Sequence, residues 1–270
     1  MSGLLGEIRR LNSLGNRDLA EPFAGGAGAS LCLLYLEEAP RIHINDADRA
    51  IHDFWWTILN RPQQFFALLS RTRVNMAEWR RQRDVYRTRG QVSRLRRGFS
   101  AFYLNRCNRS GIIVNGGPIG GVKQTGKWKL GARYNKPALR SRLEKVAEYR
   151  DRISVSDCDG IEFIDSLDSG SVMFFIDPPY YHRGRTLYLS DLDAEYHADL
   201  AARLKATPDA AWVLTYDNCS EVRELYEDWA TVRPFQLRYT ATERREGCEV
   251  LIVPKWMQLP VHQPSAALSW

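Results

Sequence analysis

The alternation of short apolar runs with amphipathic segments constrains the fold of this chain more than any other feature of its sequence. Five runs have strand character: 18–22, 41–46, 153–157, 172–177 and 212–217. Segments with the 3.6-residue apolar period of helices lie between or after them: 29–38, 47–60, 193–205 and 220–229. Strands that alternate with helices predict an α/β fold with a doubly wound, mostly parallel sheet. The last two runs, 233–240 and 248–254, predict a C-terminal β-hairpin.

Residues 61–150 interrupt this alternation and change the charge of the chain. Between Arg71 and Arg150 there are 21 Lys and Arg residues but only 4 Asp and Glu residues, whereas the remainder of the chain is net acidic. An excess of this size repels itself unless a polyanion is bound, so it favours nucleic acid as a partner over a merely solvated helical surface. We therefore predict that residues 1–60 and 151–270 form the α/β domain and that 61–150 is a helical, basic insertion.

Composition narrows the class of protein further. No apolar run approaches the roughly 18 residues that a membrane-spanning helix needs, and the N-terminus lacks the pattern of a secretory signal. The chain has five cysteines, an odd number with no CxxC spacing, and its histidines have no metal-ligand spacing. We therefore expect neither a disulfide framework nor a metal site, and we expect a reducing, cytoplasmic environment.

A glycine-rich turn follows the first predicted strand. The segment Glu21-Pro-Phe-Ala-Gly-Gly-Ala-Gly28 stands where glycines let the backbone approach a ligand and where the next helix offers unpaired N–H groups. Asp46, eighteen residues after Gly28, ends the second predicted strand, and a carboxylate there can accept hydrogen bonds from ribose hydroxyls. Leu31 occupies the position of the third glycine of the dinucleotide fingerprint, which disfavours NAD. The two features together predict a site for a nucleoside-containing cofactor.

The most specific motif is Asp177-Pro178-Pro179-Tyr180, which directly follows the apolar run 172–176. The carboxyl end of a central strand is where open sheets bind ligands. The two prolines remove two N–H donors, so nearby carbonyl groups are free to accept hydrogen bonds. The Asp177 carboxylate and the Pro178 carbonyl can thus hold both hydrogens of an aromatic amine and make its nitrogen nucleophilic. The ring of Tyr180 offers a face on which an extruded base can stack. This reading is favoured over a plain Pro-Pro turn at the end of a strand.

Six segments resemble, in the same order, segments of the Dam-type DNA adenine methyltransferase family: 23–28, 45–46, 102–111, 177–180, 212–217 and 248–252. The resemblance extends over about residues 18–256. It implies a Rossmann-like methyltransferase fold and transfer of a methyl group from S-adenosylmethionine to the N6 amino group of adenine in double-stranded DNA. It also implies that the basic insertion is the target-recognition region.

The resemblance assigns roles to individual residues as well. Those implied for cofactor binding are Phe23, Gly25, Gly26, Gly28, Asp46, Asp159 and Asp177. Those implied for catalysis are Asp177, Pro178, Pro179 and Tyr180. Within the cofactor set, the family pattern puts Asp46 on the ribose and Asp159 near the adenine of the cofactor.

Two parts of the insertion are candidates for contact with DNA. Asn105, Arg106 and Arg109 combine side chains that read bases or phosphates. The glycine-rich loop that follows residue 114 has three lysines beside an aromatic residue, a composition suited to lying along phosphates or entering a groove: Lys123, Lys127 and Lys129, with Trp128.

One departure from the family leaves alternatives open. Family members usually begin with a glycine-rich segment that contains a lysine and helps to bind the cofactor, whereas residues 1–14 resemble only the helix that would follow it. A DNA-binding relative with impaired catalysis is therefore one alternative. A methyltransferase that acts on RNA or on the amino group of cytosine is another, although the family pattern associates an aspartate at position 177 with adenine.

Overall fold

The computed structural model describes residues 1–88, 92–181, 192–236 and 248–261. Its strands are β1 Asp18–Glu21, β2 Ile42–Asn45, β3 Ile153–Ser156, β4 Val172–Ile176, β5 Ala211–Asp217, β6 Ala230–Gln236 and β7 Cys248–Pro254. Its α-helices are α1 Ser2–Leu11, α2 Gly28–Tyr35, α3 Arg49–Asn60, α4 Pro62–Arg71, α5 Met76–Arg87, α6 Arg94–Cys107, α7 Lys136–Glu148, α8 Gly160–Ser166, α9 Ala194–Lys205 and α10 Ser220–Tyr226. Short 3₁₀ turns lie at Arg109–Gly111, Leu130–Arg133 and Arg150–Arg152.

The seven strands form one sheet in the order β3-β2-β1-β4-β5-β7-β6. Strands β1 to β5 pair in parallel, whereas β7 pairs antiparallel with both β5 and β6. This confirms the predicted mostly parallel α/β sheet with a C-terminal hairpin, of which residues 237–240 lie outside the described residues. The order of strands reverses between β1 and β4, and open α/β sheets bind ligands at such a reversal.

The apolar runs became strands because both faces of the sheet are covered. Every residue of β4 is buried, as expected of a central parallel strand with helices on both sides. Phe174 and Trp212 lie in the core cluster that also contains Leu200 and Leu204 of α9. This packing fixes where β4 ends, and therefore where Asp177 lies.

The chain forms two compact units, which are described separately. Among the described residues, the first contains 1–45, 152–181, 192–236 and 248–261, and the second contains 46–88 and 92–151. Helix α3 belongs to the second unit, so the structural boundary lies after residue 45, whereas the insertion was predicted to begin at 61. The functional division of the chain at 61 and 150 stays a prediction.

Helices α3 and α6 form the centre of the second unit. The rings of Phe54 and Phe102 stack with their centroids 5.7 Å apart, and Phe65 and Phe99 join the same aromatic cluster. Beside them, the guanidinium of Arg97 donates a hydrogen bond to the buried carboxylate of Asp53. The arginines of α6 and its glycine hide the apolar period of this helix, which is why the sequence analysis did not delimit it.

None of the helices in the described ranges is long and apolar enough to cross a membrane.

Gly98 allows α3 and α6 to approach closely, which leads to a prediction about stability. A Cβ atom at this position would lie 2.4 Å from the backbone nitrogen of Phe54 and 2.6 Å from the backbone carbon of Asp53. Because backbone atoms cannot move aside independently, Gly98→Ala should force the helices apart and lower the free energy of unfolding by about 3 kcal/mol or more. Urea denaturation measures the change. Gly131→Ala is the control, since its Cβ would meet only Val74 at 3.5 Å. Equal stability of the two variants would contradict the prediction.

Candidate active site

The glycine-rich turn after β1 forms a tight loop with two residues in left-handed backbone conformation. The φ angles of Gly25 and Ala27 are +48° and +45°. The Ala27 N–H donates to the Ala24 carbonyl at 2.6 Å, which closes the loop before α2 begins at Gly28. Added Cβ atoms on Gly25, Gly26 and Gly28 would meet no atom of the described residues within 4 Å. The glycines therefore leave space along the turn in which a ligand can approach the backbone.

Asn45, the last residue of β2, hydrogen-bonds to the turns after two neighbouring strands, β1 and β3. Its side-chain amide donates to the Pro22 carbonyl at 2.9 Å and to the Cys158 carbonyl at 3.0 Å, and its Oδ1 accepts from the Cys158 N–H at 3.1 Å. Its backbone carbonyl also accepts from the Ala24 N–H at 2.8 Å. Asn45 is itself buried, so losing one of these hydrogen bonds would leave an unpaired polar group. Asn45 thus fixes the turns after β1 and β3 relative to β2.

The turn after β1 and the motif after β4 line one cavity of about 300 Å³. Its lining combines backbone of the glycine turn with acidic and aromatic side chains: Met1, Glu21, Phe23, Ala24, Gly26, Ala27, Gly28, Ala29, Phe175, Asp177, Tyr180, Thr215 and Glu249. Strands β1, β4, β5 and β7 contribute side chains from their ends. The cavity therefore lies at the reversal of strand order, as the topology of the sheet predicts.

Glu21 is a buried carboxyl group in this cavity that the sequence analysis did not single out. Its Oε1 accepts a hydrogen bond from the Ser30 N–H in the first turn of α2, at 2.8 Å. Burial raises the pKa of Glu21 to about 7, and the nearby charge of Asp177 adds to the effect. Near neutral pH this carboxyl is therefore poised between its two protonation states, and a cation in the cavity would favour the ionised form.

Asp177 lies at the end of β4 and is held by a residue of the neighbouring strand. The Thr215 hydroxyl donates to Oδ1 of Asp177 at 2.6 Å. Among the described residues, the other carboxylate oxygen, Oδ2, has no hydrogen-bond partner. Solvent reaches the side chain through the cavity. Desolvation by the protein around it nevertheless raises the pKa of Asp177 to about 6, and the nearby charge of Glu249 adds to the effect. Asp177 is thus ionised at neutral pH, with one oxygen held by Thr215.

Tyr180 is oriented by a second residue that the sequence analysis missed. Its hydroxyl donates a hydrogen bond to Oε1 of Glu249 on β7. The next residue, Tyr181, donates its backbone N–H to the Asp217 carboxylate at 3.0 Å. Because Asp217 and Glu249 are opposite each other in the β5–β7 pair, the hairpin strand β7 helps to set the direction of the Asp-Pro-Pro-Tyr segment.

Phe23 lies against a glycine at the start of α8. A Cβ atom on Gly160 would lie 2.4 Å from Cζ of Phe23, so the ring has this position only because residue 160 has no side chain. The ring also makes an edge contact with Tyr196, with centroids 6.5 Å apart. Gly160 therefore determines how the Phe23 ring lines the cavity, and nothing in its local sequence indicates this.

Two other predicted cofactor residues, Asp46 and Asp159, are not among the residues that line this cavity. Asp159 caps α8, and its Oδ1 accepts from the Ile161 N–H at 2.8 Å. Asp46 directly follows β2, as predicted, and its Oδ1 accepts from the Asp48 N–H at 2.9 Å. Pro178 and Pro179 are buried. The cofactor and catalytic roles of these residues stay predictions.

The predicted DNA-binding residues of the insertion fall into two groups. Asn105 and Arg106 are half-buried and hydrogen-bond to each other, and burial, with Arg133 nearby, lowers the pKa of Arg106. Their first role is therefore to build the turn after α6. The others are exposed at the surface of the second unit: Arg109, Lys123, Lys127 and Lys129.

The loop that contains the three lysines is ordered by one side chain. The Gln124 amide donates to the Ile119 and Gly121 carbonyls, each at 2.7 Å, and its Oε1 accepts from the Leu130 N–H at 2.9 Å. Trp128 is exposed on this loop, with Lys127 near its ring. Within the part of the chain that the structure describes, no group of three His, Cys, Asp or Glu side chains is placed to hold a metal ion.

The mostly parallel sheet, with its reversal of strand order between β1 and β4, agrees with a Rossmann-like methyltransferase fold. The family model for D12 class N6 adenine-specific DNA methyltransferase matches residues 2–243. The match covers most of the chain, so the chain belongs to this family of DNA adenine methyltransferases, and the predicted Dam-type resemblance is confirmed. A search of curated proteins found no match.

The raised pKa of Glu21 leads to a prediction about the pH dependence of stability. In the unfolded chain Glu21 should titrate near its ordinary pKa of 4.5, whereas in the folded chain it titrates at about 7. Its contribution to stability is therefore present below about pH 4.5 and is lost as the pH rises through about 7. Glu21→Gln removes this loss. As the pH rises from 4.5 to 8, the free energy of unfolding of the variant should therefore increase by roughly 3 kcal/mol relative to that of the natural protein.

Urea denaturation at several pH values measures this gain. Glu224→Gln, an exposed residue of α10, is the matched control and should follow the natural protein at every pH. A difference between Glu21→Gln and the natural protein that stays constant with pH would show that Glu21 has an ordinary pKa.

Proposed function

We propose that this protein transfers a methyl group from S-adenosylmethionine to the N6 amino group of an adenine that is flipped out of duplex DNA. The observation that carries the proposal is the single cavity lined by both the glycine turn after β1 and the Asp177–Tyr180 motif after β4. Membership of the N6 adenine-specific family supports the reaction and its substrate. The chemistry of the cavity supports S-adenosylmethionine as the methyl donor and a flipped adenine as the acceptor.

The cavity suits a cationic, nucleoside-containing cofactor. Three carboxyl groups face it, those of Glu21, Asp177 and Glu249, and they favour a positively charged ligand. The open space beside Gly26 and Gly28 would accept such a ligand against the backbone, and Phe23 would contact its apolar part. When bound, S-adenosylmethionine supplies an electrophilic methyl group on a positively charged sulfur. Asp46 and Asp159 would hold its ribose and adenine, as the family pattern implies.

Asp177 would activate the target amine. The lone pair of an adenine N6 is delocalised into the ring, so the nitrogen is a poor nucleophile until its hydrogens are held out of the ring plane. Thr215 occupies Oδ1 of Asp177, which leaves Oδ2 to accept one amino hydrogen, while the Pro178 carbonyl would accept the other. The contact with Thr215 fixes the carboxylate before substrate binds, which lowers the cost of positioning.

The same carboxylate offers a place for the proton that the methylated amine loses. The methylated nitrogen is strongly acidic, so proton transfer to Asp177 or to water is favourable. The raised pKa of Asp177, about 6, makes it a better acceptor than an ordinary aspartate while it remains ionised at neutral pH. No histidine is required for this step.

Tyr180 would hold the flipped base by stacking. Its hydroxyl is hydrogen-bonded to Glu249, so the ring has a fixed direction at the edge of the cavity. An aromatic ring that is already oriented loses little side-chain freedom when a base stacks on it. We therefore assign Glu249 the role of a positioning residue that acts through Tyr180.

Replacing Asp177 tests the proposed chemistry. Asp177→Ala should slow methyl transfer by about 10³-fold or more, because the main acceptor for the amine is lost, while affinity for duplex DNA changes little. Asp177→Asn should also be inactive, since its amide keeps an oxygen for Thr215 but points a donor at the amine. The measurements are transfer of labelled methyl groups into duplex DNA and equilibrium DNA binding.

Asp209→Ala, which removes an exposed carboxylate of the same unit, is the control and should keep its activity. Near-normal transfer by both Asp177 variants would overturn the proposed role of Asp177. If a variant lost both DNA binding and methyl transfer, this would indicate instead that the substitution disturbs the fold.

Gly160 provides a test of the cofactor site that does not alter a polar group. Gly160→Ala should displace the Phe23 ring and raise the Kd for S-adenosylmethionine by about tenfold, which corresponds to about 1.4 kcal/mol. Isothermal titration without DNA measures the affinity. Gly15→Ala is the control, because a Cβ there would meet no atom within 4 Å. If both variants bound the cofactor as tightly as the natural protein, Phe23 would not be part of its site.

A further inference from the structure

A second cavity, of about 510 Å³, lies in the helical unit among the C-terminal end of α4, helix α5 and the start of α6. Its lining is mostly polar and contains four arginines: Leu68, Arg71, Thr72, Arg73, Asn75, Ala77, Glu78, Arg81, Gln82, Val85, Arg96 and Phe99. All of these residues belong to the second compact unit. They lie within the basic insertion 61–150, but none of them is among the residues named individually above as contacts to DNA or to the cofactor.

The one carboxylate in this cavity is already neutralised. Arg81 donates from Nη2 to Oε1 of Glu78 at 2.6 Å and from Nε to Oε2 at 2.9 Å, a bidentate pair. Gln82 donates to the same carboxylate, and the pKa of Glu78 is lowered, since these hydrogen bonds outweigh the effect of burial. Glu78 therefore has little capacity to compensate a further cation.

Arg71, Arg73 and Arg96 are left without an anionic partner. All three are exposed, and in the described part of the chain none of them forms an ion pair. Asp53 and Glu144 of the same unit face arginines outside this cavity, and Glu144 lies 2.8 Å from Arg140. The cavity thus holds three uncompensated positive charges.

Helix geometry explains only one of these three charges. Arg71 ends α4, where a cation interacts favourably with the helix dipole. Arg73 lies between helices, and Arg96 lies in the first turn of α6, where the dipole disfavours a cation. Its neighbours Arg94 and Arg97 are both directed to Asp53, whereas Arg96 is not. The placement of Arg73 and Arg96 therefore has no explanation in the folding of the unit itself.

The cavity is also preorganised. Leu68 and Phe99 form a buried apolar base, and the hydroxyl of the buried Tyr103 donates to the Arg73 carbonyl at 3.3 Å. The side chain of Asn75 caps α5 by accepting from the Glu78 N–H at 2.8 Å. The segment that presents Arg73 is thus held at both ends rather than free to move away from the other arginines.

We infer that Arg71, Arg73 and Arg96 form a binding site for a backbone phosphate of the DNA duplex. Guanidinium groups match phosphate oxygens in charge and in hydrogen-bond geometry, and a phosphate would supply the anion that the cavity lacks. The site would contribute affinity and orientation without reading the sequence. The inference shares with the proposed function only its DNA substrate.

The test is equilibrium binding of duplex DNA in the absence of any methyl donor. Arg71→Gln, Arg73→Gln and Arg96→Gln combined should weaken binding about tenfold, by similar factors for duplexes of different sequence. Between about 50 and 200 mM salt, the slope of log affinity against log salt should become shallower by about one unit, as expected for one lost phosphate contact. The single variants should each weaken binding by a smaller factor.

The matched control combines Arg140→Gln, Arg150→Gln and Arg223→Gln, which removes the same charge from arginines that already have carboxylate partners. If control and test variants bound DNA equally well, the inference would be wrong. If the triple variant did not fold, the three lysine substitutions, which retain charge but lose bidentate bonding, should still weaken binding measurably. An unchanged affinity in them would also overturn it.

Inorganic phosphate distinguishes DNA from a small anion as the ligand. If the natural protein bound inorganic phosphate at this site while the triple variant kept full DNA affinity, the cavity would be a small-anion site and the assignment to DNA would fail. Because no methyl transfer is measured, a failure of the proposed reaction would leave these results unaffected. A failure of the proposed reaction would be seen instead as a protein that binds DNA with the expected salt dependence but transfers no methyl group.

Discussion

The parallel pairing of β1 with β4 is the constraint on which the rest of the candidate site depends. The chain leaves β1 in one direction across the sheet and returns to β4 on the other side, so the turns after both strands open at the same edge. Two motifs that are about 150 residues apart in sequence, the glycine turn and Asp177–Tyr180, therefore line one cavity. Without that pairing, the two motifs would not line the same cavity.

The polar groups around this reversal show that the candidate site is held partly at a cost in stability. The buried Asn45 makes hydrogen bonds that fix two turns, and these add to stability. Glu21 and Asp177, in contrast, are carboxyl groups with raised pKa values, which means that the folded protein disfavours their charged forms. A positively charged ligand would relieve part of that cost, so ligand binding should stabilise the fold.

The sequence predicted the parts of this arrangement that have a local signature. A continuous apolar run such as Val172–Ile176 identifies a central strand, and two prolines after an aspartate mark its end. Glu249 and Gly160 have no such signature, because their roles arise from pairing with Tyr180 and packing against Phe23, residues far away in the chain. Strand register and close packing decide such contacts, and neither can be obtained from one sequence.

The helical unit shows the same limit in a different form. The excess of Lys and Arg over 71–150 predicted a polyanionic partner, yet it did not indicate which cations are already paired. Asn105 and Arg106 turned out to hold each other, whereas Arg73 and Arg96 face a cavity without an anionic partner among the described residues. Charge counts predict the class of ligand, and only the folded arrangement separates the arginines that build the unit from those available to bind.

The most direct test of the central claim is to incubate the protein with S-adenosylmethionine labelled on its methyl group and with unmethylated duplex DNA, and then to identify the labelled nucleoside. The account predicts that the label is found on the N6 of adenine in the DNA. Label on cytosine, label found only when RNA is supplied, or no transfer by a folded protein that still binds DNA would each contradict it.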